Sequence, residues 1–225
     1  MERFFDVLLS GLALTLLAPL LIPIVILLRF TGEGEVFFWQ ERIGVGGKKF
    51  FLVKFATMLK NSPNIGTGTV TVRNDPRVLP IGKFLRKTKL NELPQLLNIF
   101  IGDMSFIGPR PLTDETFSVY SIATQAIIKQ VSPGLSGVGS IIFRGEEELL
   151  QGTDATVDFY STVIAPYKGQ LEEWFVLNKS LSLYFAAIFL TVWVVMRPKT
   201  KIQWRVFKGL PEPPISLWKS LSYSS

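Results

Sequence analysis

Two charged residues stand out because stiff neighbours hold them. Glu92 follows Asn91 and precedes Leu93-Pro94, and Arg110 lies between Pro109 and Pro111. Proline fixes its own φ, so Pro109-Arg110-Pro111 is a rigid corner that can present a guanidinium fork to phosphate. A carboxylate such as Glu92 can hold a hard, oxygen-loving cation such as Mg²⁺. Arg86 lies shortly before it. Positioned cations, with a metal, can neutralise charge on phosphoryl oxygens. The alternative for Arg110 is a structural pairing with Asp103, which itself reads as a turn cap. The chain has no cysteine and no histidine. Disulfides, thiolate nucleophiles, zinc sites built on Cys or His, and a histidine base are therefore excluded.

These groups need elements to place them. Asn91 is a candidate helix N-cap, with Glu92 in the first turn where the helix dipole favours an anion. Pro94 is tolerated only near a helix start. Leu93, Leu96, Leu97 and Phe100 recur at helical spacing and are expected to form the buried face, and Gly102 is expected to end the helix. Ile81 to Lys87 reads as a short helix feeding this stretch.

The stretch from Arg86 to Leu112 resembles the bacterial sugar transferase family, the monotopic phosphoglycosyl transferases. The resemblance rests on Leu90-Asn91-Glu92-Leu93-Pro94-Gln95-Leu96, Gly102-Asp103-Met104-Ser105 and Gly108-Pro109-Arg110-Pro111. Lys54-Phe55-Ala56-Thr57-Met58 is similar to a further family segment, as is the run from Pro133 to Ser140. Lys54 can reach a phosphate or be a plain strand-edge charge. The resemblance implies that the Glu of the pair, Glu92, assists with a metal, and that an arginine in the region of Arg144 helps to hold the substrate's phosphates. It also implies a covalent phosphosugar intermediate on the residue before that Glu. Here that residue is Asn91, whose carboxamide is a poor nucleophile, although Asn caps a helix about as well as Asp. Three readings stay open. Glu92 or another carboxylate is the nucleophile, the acceptor phosphate attacks directly, or the chain is inactive.

Val7 to Leu28 carries no charge. At about 1.5 Å per residue it is long enough for a bilayer core of roughly 30 Å. It exceeds a signal-peptide core and has no small-residue cleavage site after Leu28. Pro19 and Pro23 lie inside it and argue against a straight helix. The residues alone permit a kinked spanning helix or a re-entrant one. The resemblance implies the re-entrant form, with both ends cytoplasmic. Ser180 to Met196 is a second uncharged run, borderline in length for spanning, and the resemblance implies that it is interfacial or buried.

Of the rest, Gly32 to Gly47 reads as a glycine-punctuated loop, Lys49 to Met58 as a strand, and Thr69 to Val72 as a short strand. Asp114 to Gln130 reads as a helix, Gly139 to Phe143 as a strand, and Val157 to Asn178 as a helix. Glu146 to Glu148 reads as a solvated helix start. The 225 residues carry 24 basic and 18 acidic side chains, a net charge of +6. The excess is local. Arg73, Arg77, Lys83, Arg86, Lys87 and Lys89 form one group, and Arg197, Lys199, Lys201, Arg205 and Lys208 another. Such faces fit phosphates or an anionic membrane surface. No nucleic-acid-binding motif accompanies them.

The expectation is an α/β, membrane-associated (monotopic) protein with an N-terminal re-entrant helix (residues 1–30), a catalytic domain of a small sheet and interfacial helices (31–208), and a flexible tail (209–225). The resemblance implies transfer of a sugar 1-phosphate from a nucleotide diphosphosugar, a UDP-sugar by expectation, to a polyprenyl phosphate at the bacterial inner membrane. The catalytic domain would face the cytoplasm. Catalytic candidates are Glu92 and Asn91. Substrate-binding candidates are Arg110, Arg86, Lys54, Arg144, Pro109 and Pro111. Expected partners are Mg²⁺, the two substrates and membrane lipids, with a homodimer left open and no nucleic acid. The alternative is an inactive membrane scaffold or nucleotide-sugar-binding protein.

Overall fold

The computed structural model describes residues 1–65, 75–144, 159–197 and 200–221. The chain divides into two compact units, Phe4–Glu41 with Phe51–Gly102, and Met1–Arg3 with Arg42–Phe50 and Asp103–Ser225. Both are mixed α/β.

The first unit begins with α1 (Glu2–Arg29), whose first residues belong to the other unit. α1 is one continuous helical element that contains both Pro19 and Pro23. The Leu, Ile and Ala residues on either side are good helix formers, and they carry the ladder past the two missing donors. Leu8, Leu12, Leu16, Leu20, Ile22 and Ile26 are exposed, while Ile24 and Leu28 pack with Phe55 and Leu85 in this unit's core. Among the described residues α1 is the one helix long and apolar enough to cross a membrane.

Strand β1 (Phe37–Ile43) falls where a loop was expected, and pairs with β2 (Lys49–Phe55). A connection this short permits only antiparallel pairing. The apolar run beginning at Val36 supplies the strand, and Gly46 and Gly47, at φ 66° and 78°, supply the turn. Helix α2 (Pro80–Lys87) lies as expected. A side chain at Gly82 would collide with the Thr57 carbonyl, so α2 meets the end of β2 backbone to backbone. Helix α3 (Gln95–Ile101) ends at Gly102, φ 109°, as expected for a left-handed C-cap. Its buried face differs from the expected one. Gln95, Leu96, Asn98 and Ile99 point inward, while Leu97 and Phe100 are exposed. Asn98 explains the rotation. Its Oδ1 accepts from Val53 N–H at 3.0 Å and its Nδ2 donates to the Phe51 carbonyl at 2.8 Å, which ties α3 to β2.

In the second unit β3 (Ser105–Ile107) and β4 (Gly134–Ser136) pair in parallel, Ser105 opposite Gly134 and Ile107 opposite Ser136. The single helix expected over Asp114–Gln130 is two, α4 (Asp114–Phe117) and α5 (Ile122–Ile128). Thr113 and Ser121 each cap one through a hydroxyl. Gly139–Phe143, expected as a strand, lies in and just after helix α6 (Val138–Ile142). A buried apolar run this short carries no decisive periodicity. A π-helical turn (Tyr160–Ile164) leads into α7 (Ala165–Leu177). Helix α8 (Leu181–Met196) follows, with a Ser180 hydroxyl cap. Short helices α9 (Ile202–Val206) and α10 (Ile215–Trp218) complete the unit. The segment from residue 209 to 221, expected as part of a flexible tail, is tied down. Tyr167 Oη donates to the Pro211 carbonyl at 2.9 Å, Trp218 Nε1 donates to the Pro213 carbonyl at 2.7 Å, and Leu217 is buried. The strand expected at Thr69–Val72 and the run Glu146–Glu148 lie outside the described residues.

Replacing Asn98 by Ala should leave the buried Val53 N–H and the part-buried Phe51 carbonyl without this partner. The expected loss is about 2–4 kcal/mol, against roughly 0.5 kcal/mol for Leu97→Ala on the exposed face. Denaturant midpoints of the two detergent-solubilised variants would check this, and equal shifts would contradict it.

Candidate functional site

The candidate residues fall into two groups, one in each unit. In the first unit Leu90–Glu92 is a 3₁₀ turn entered through Lys89, the one described non-glycine residue at positive φ, 60°. α3 starts only at Gln95, with Pro94 in the cap position. The expectation that Asn91 caps the helix is thereby corrected. Pro94 has a helix-ready φ and no N–H to be satisfied, so the helix begins beyond it. Asn91 is 8% exposed and its Oδ1 has no hydrogen-bond partner. Glu92 Oε1 lies 3.8 Å from Lys54 Nζ, both side chains about one-fifth exposed. Lys54 comes from β2 and faces that carboxylate. Arg86, in the last turn of α2, places Nη1 3.6 Å from Met58 Sδ. Of the basic residues grouped with it by sequence, Arg77 is buried. Its guanidinium binds Asp75 and the carbonyls of Ser62 and Ile65, so it holds the fold.

In the second unit the Pro109-Arg110-Pro111 corner has both prolines buried and the arginine exposed. Its backbone is pinned at successive groups. Gly108 N–H donates to the Ser136 carbonyl at 2.9 Å, and the Pro109 carbonyl accepts from Gly134 N–H at 2.8 Å. Arg110 N–H donates to the Glu172 carboxyl. The Pro111 carbonyl accepts from Arg42 Nη1 at 3.1 Å, and the Leu112 carbonyl from Ile43 N–H at 3.0 Å. A shallow pocket beside the corner is lined by Pro109, Arg110, Leu112, Phe117 and Lys129 among others. Arg144, exposed, follows α6.

Sequence reasoning missed Asn98 and Glu172. Glu172 is 2% exposed, and its Oε2 has no partner. Burial pushes its carboxyl up to about 7, although Lys168, the Arg110 N–H and the Arg110 charge pull the other way. The spacing could have pointed to it: Lys168 and Glu172 stand four apart on the stripe that includes Ala165 and Phe175, so a charged pair occupies buried helical positions.

Chemically, the first group offers hard oxygen donors beside a cation, and the second a fixed arginine. Among the described residues no cluster of three or more carboxylates is present. Residues 1–198 match the bacterial sugar transferase family. The chain belongs to that family of enzymes, as its motifs implied. Its relatives include the exopolysaccharide production protein ExoY of Sinorhizobium fredii, 36% identical over 159 residues, which cover 64% of this chain and 70% of the relative. The UDP-glucose:undecaprenyl-phosphate glucose-1-phosphate transferase of Escherichia coli is 36% identical over 162 residues, 71% of this chain but 35% of the relative. The undecaprenyl-phosphate galactose phosphotransferase of Salmonella typhimurium is 29% identical over 211 residues, 88% of this chain and 40% of the relative. The chain thus spans well under half of the length of these two transferases.

Glu172 gives a pH prediction. Its folded pKa of about 7 lies above the ordinary 4.5. The folded state therefore binds the proton more tightly, and the stabilisation is fully present below pH 4.5 and lost as pH rises through about 7. Across that window the wild type should lose about 3 kcal/mol relative to Glu172→Gln, which does not titrate. Denaturant unfolding of both proteins in detergent at several pH values would show it. Parallel stability curves would refute it.

Proposed function

We propose that this chain transfers a sugar 1-phosphate from a UDP-sugar to a polyprenyl phosphate and so begins a membrane-linked glycan. The observation that carries this reading is the intact motif around residue 91, in which only the nucleophile's position departs from the family: Glu92 and Arg110 are retained in place. The names of the Escherichia coli and Salmonella relatives describe this class of reaction. In the transfer, an oxygen of the acceptor phosphate forms a bond to the sugar-bearing phosphorus, the phosphoanhydride bond breaks, and UMP departs with the bonding electrons. With a carboxamide at position 91, direct attack by the acceptor is the route we assign.

The residues fit a divalent cation. Glu92 and the unpartnered Asn91 Oδ1 are hard oxygen donors, and Mg²⁺ commonly takes one or two protein oxygens, completing its shell with water and substrate phosphates. When bound, Mg²⁺ would neutralise charge on the diphosphate. Lys54 faces Glu92 and adds a positive charge at that turn. Arg110 offers a phosphate its guanidinium fork from a fixed backbone, and Arg86 and Arg144 are further phosphate candidates. We place the protein at the bacterial inner membrane with its catalytic residues on the cytoplasmic side and α1 re-entrant. The second reading, a non-catalytic scaffold or nucleotide-sugar-binding protein, is favoured by one observation: Asn91 stands where the family has its carboxylate nucleophile.

UMP release from UDP-glucose or UDP-galactose with added polyprenyl phosphate, assayed for wild type beside Asn91→Asp, separates the readings. Direct attack predicts metal-dependent turnover without a phosphosugar adduct on wild-type protein, and a loss of roughly tenfold or more in Glu92→Gln. Asn91→Asp should gain an adduct visible by intact-protein mass spectrometry, since a carboxylate there can act covalently. No turnover in either protein would favour the scaffold.

The topology is checked separately. Cysteines placed at positions 3 and 31 of this cysteine-free chain should label from the same side of sealed vesicles. Labelling from opposite sides would make α1 a spanning helix.

A further inference from the structure

We infer that Glu172 is a positioning residue for Arg110: its carboxyl fixes the Arg110 backbone, and the arginine's grip on a substrate diphosphate depends on that hold. The inference rests on the reading of Arg110 as a phosphate ligand. Three observations place Glu172 in this role. It reaches the corner from a different element, α7, and receives the N–H of Arg110 itself. Room for it is made by a glycine, because a side chain at Gly139 would overlap its carboxyl. Its second oxygen is buried without a partner, so the group is held there at a cost that packing alone does not explain.

The charged groups that face the carboxyl are few. Lys168 lies one turn earlier on α7, buried with its Nζ over the rings of Phe143 at 5.5 Å and Tyr160 at 6.0 Å. Arg110 faces it from the corner. The neighbouring α6 is Val-Gly-Ser-Ile-Ile, with no titratable group, and Arg144 beyond it is exposed. α5, Ile-Ala-Thr-Gln-Ala-Ile-Ile, has none either, and Lys129 follows it with its Nζ over the Phe117 ring at 5.1 Å. A carboxyl pushed up to about 7 by burial changes charge across neutral pH. The ionised form accepts the Arg110 N–H more strongly than the protonated one. Diphosphate binding should therefore tighten as pH rises through neutrality.

Calorimetric binding of UDP-glucose and UDP-galactose to the full chain in nanodiscs tests this without requiring turnover. The diphosphate of these probes is esterified at both ends and keeps its charge over the range. Wild type should bind roughly fivefold tighter at pH 8 than at pH 6, and Glu172→Gln should vary by less than about twofold. Arg110→Ala and Glu172→Ala should each lose about tenfold, and the double variant should lose no more than Arg110→Ala, because the two act through one contact. Additive losses, or wild-type affinity in Glu172→Ala beside a loss in Arg110→Ala, would overturn the inference. If Glu172→Ala does not fold, Glu172→Gln still decides: a pH dependence equal to wild type overturns it. Wild-type affinity in Arg110→Ala, or no binding of either probe by wild type, removes the phosphate reading and this inference with it.

Discussion

The second unit depends on two backbone stretches meeting with no side chain between them. A Cβ at Gly108 would run into the Ser132 carbonyl, one at Gly134 into the Gly108 amide, and one at Gly137 into the Gly108 carbonyl. The absence of side chains at these positions lets β3 and β4 pair in parallel across only two registered residue pairs. A parallel pairing this short is weak by itself. It persists because the residues after β3 are held too, by the Pro109 and Leu112 carbonyls and by the Arg110 N–H. The rigid corner that sequence reasoning assigned to proline is therefore only half made by proline. The rings fix two φ angles, and hydrogen bonds donated by Arg42, Ile43 and Gly134 and accepted by Glu172 fix where the corner sits.

The sequence revealed what depends on local chemistry. α2, the Gly102 stop and the strand after Lys49 follow from punctuation and residue pattern. Elements decided by distant partners were hidden. Asn98 rotates α3 toward β2, and no local pattern says that a buried amide will outrank Leu97 and Phe100 for the inward face. Gly139 to Phe143 reads as a strand, yet all but its last residue lies in helix α6. The chemical candidates Glu92, Lys54 and Arg110 were legible because a motif marks them. Glu172 was not, although its spacing to Lys168 could have shown it.

The apolar surface of both units has a common physical reading. α8 buries Tyr184, Ala187, Leu190 and Val194 on one stripe, but Phe185, Phe189, Val192 and Val195 on the other side are equally apolar and exposed. α1 is likewise apolar all round, with its inward face limited to a few residues. A helix hydrophobic on every face belongs in a protein core or in lipid. These are not in a core, and their exposed side chains exceed what a water-facing surface ordinarily carries. Of the two, α1 is long and apolar enough to cross a membrane.

Residue 91 is where fold and chemistry pull apart. By sequence, Asn and Asp are interchangeable caps, and exchanging them should hardly affect folding. The structure removes that argument, because Asn91 caps nothing. It lies in a tight turn, nearly buried, directly before a carboxylate whose Oε1 is 3.8 Å from Lys54 Nζ. A second carboxylate there would bring desolvation and like-charge repulsion with it, both of which penalise the ionised form. A neutral carboxamide avoids both. Asn91 therefore gives the more stable turn, and an Asp at this position would be more strained and more reactive. Active sites commonly trade in that direction, giving up stability for reactivity. This chain carries the neutral side chain at that turn, the choice that favours the fold.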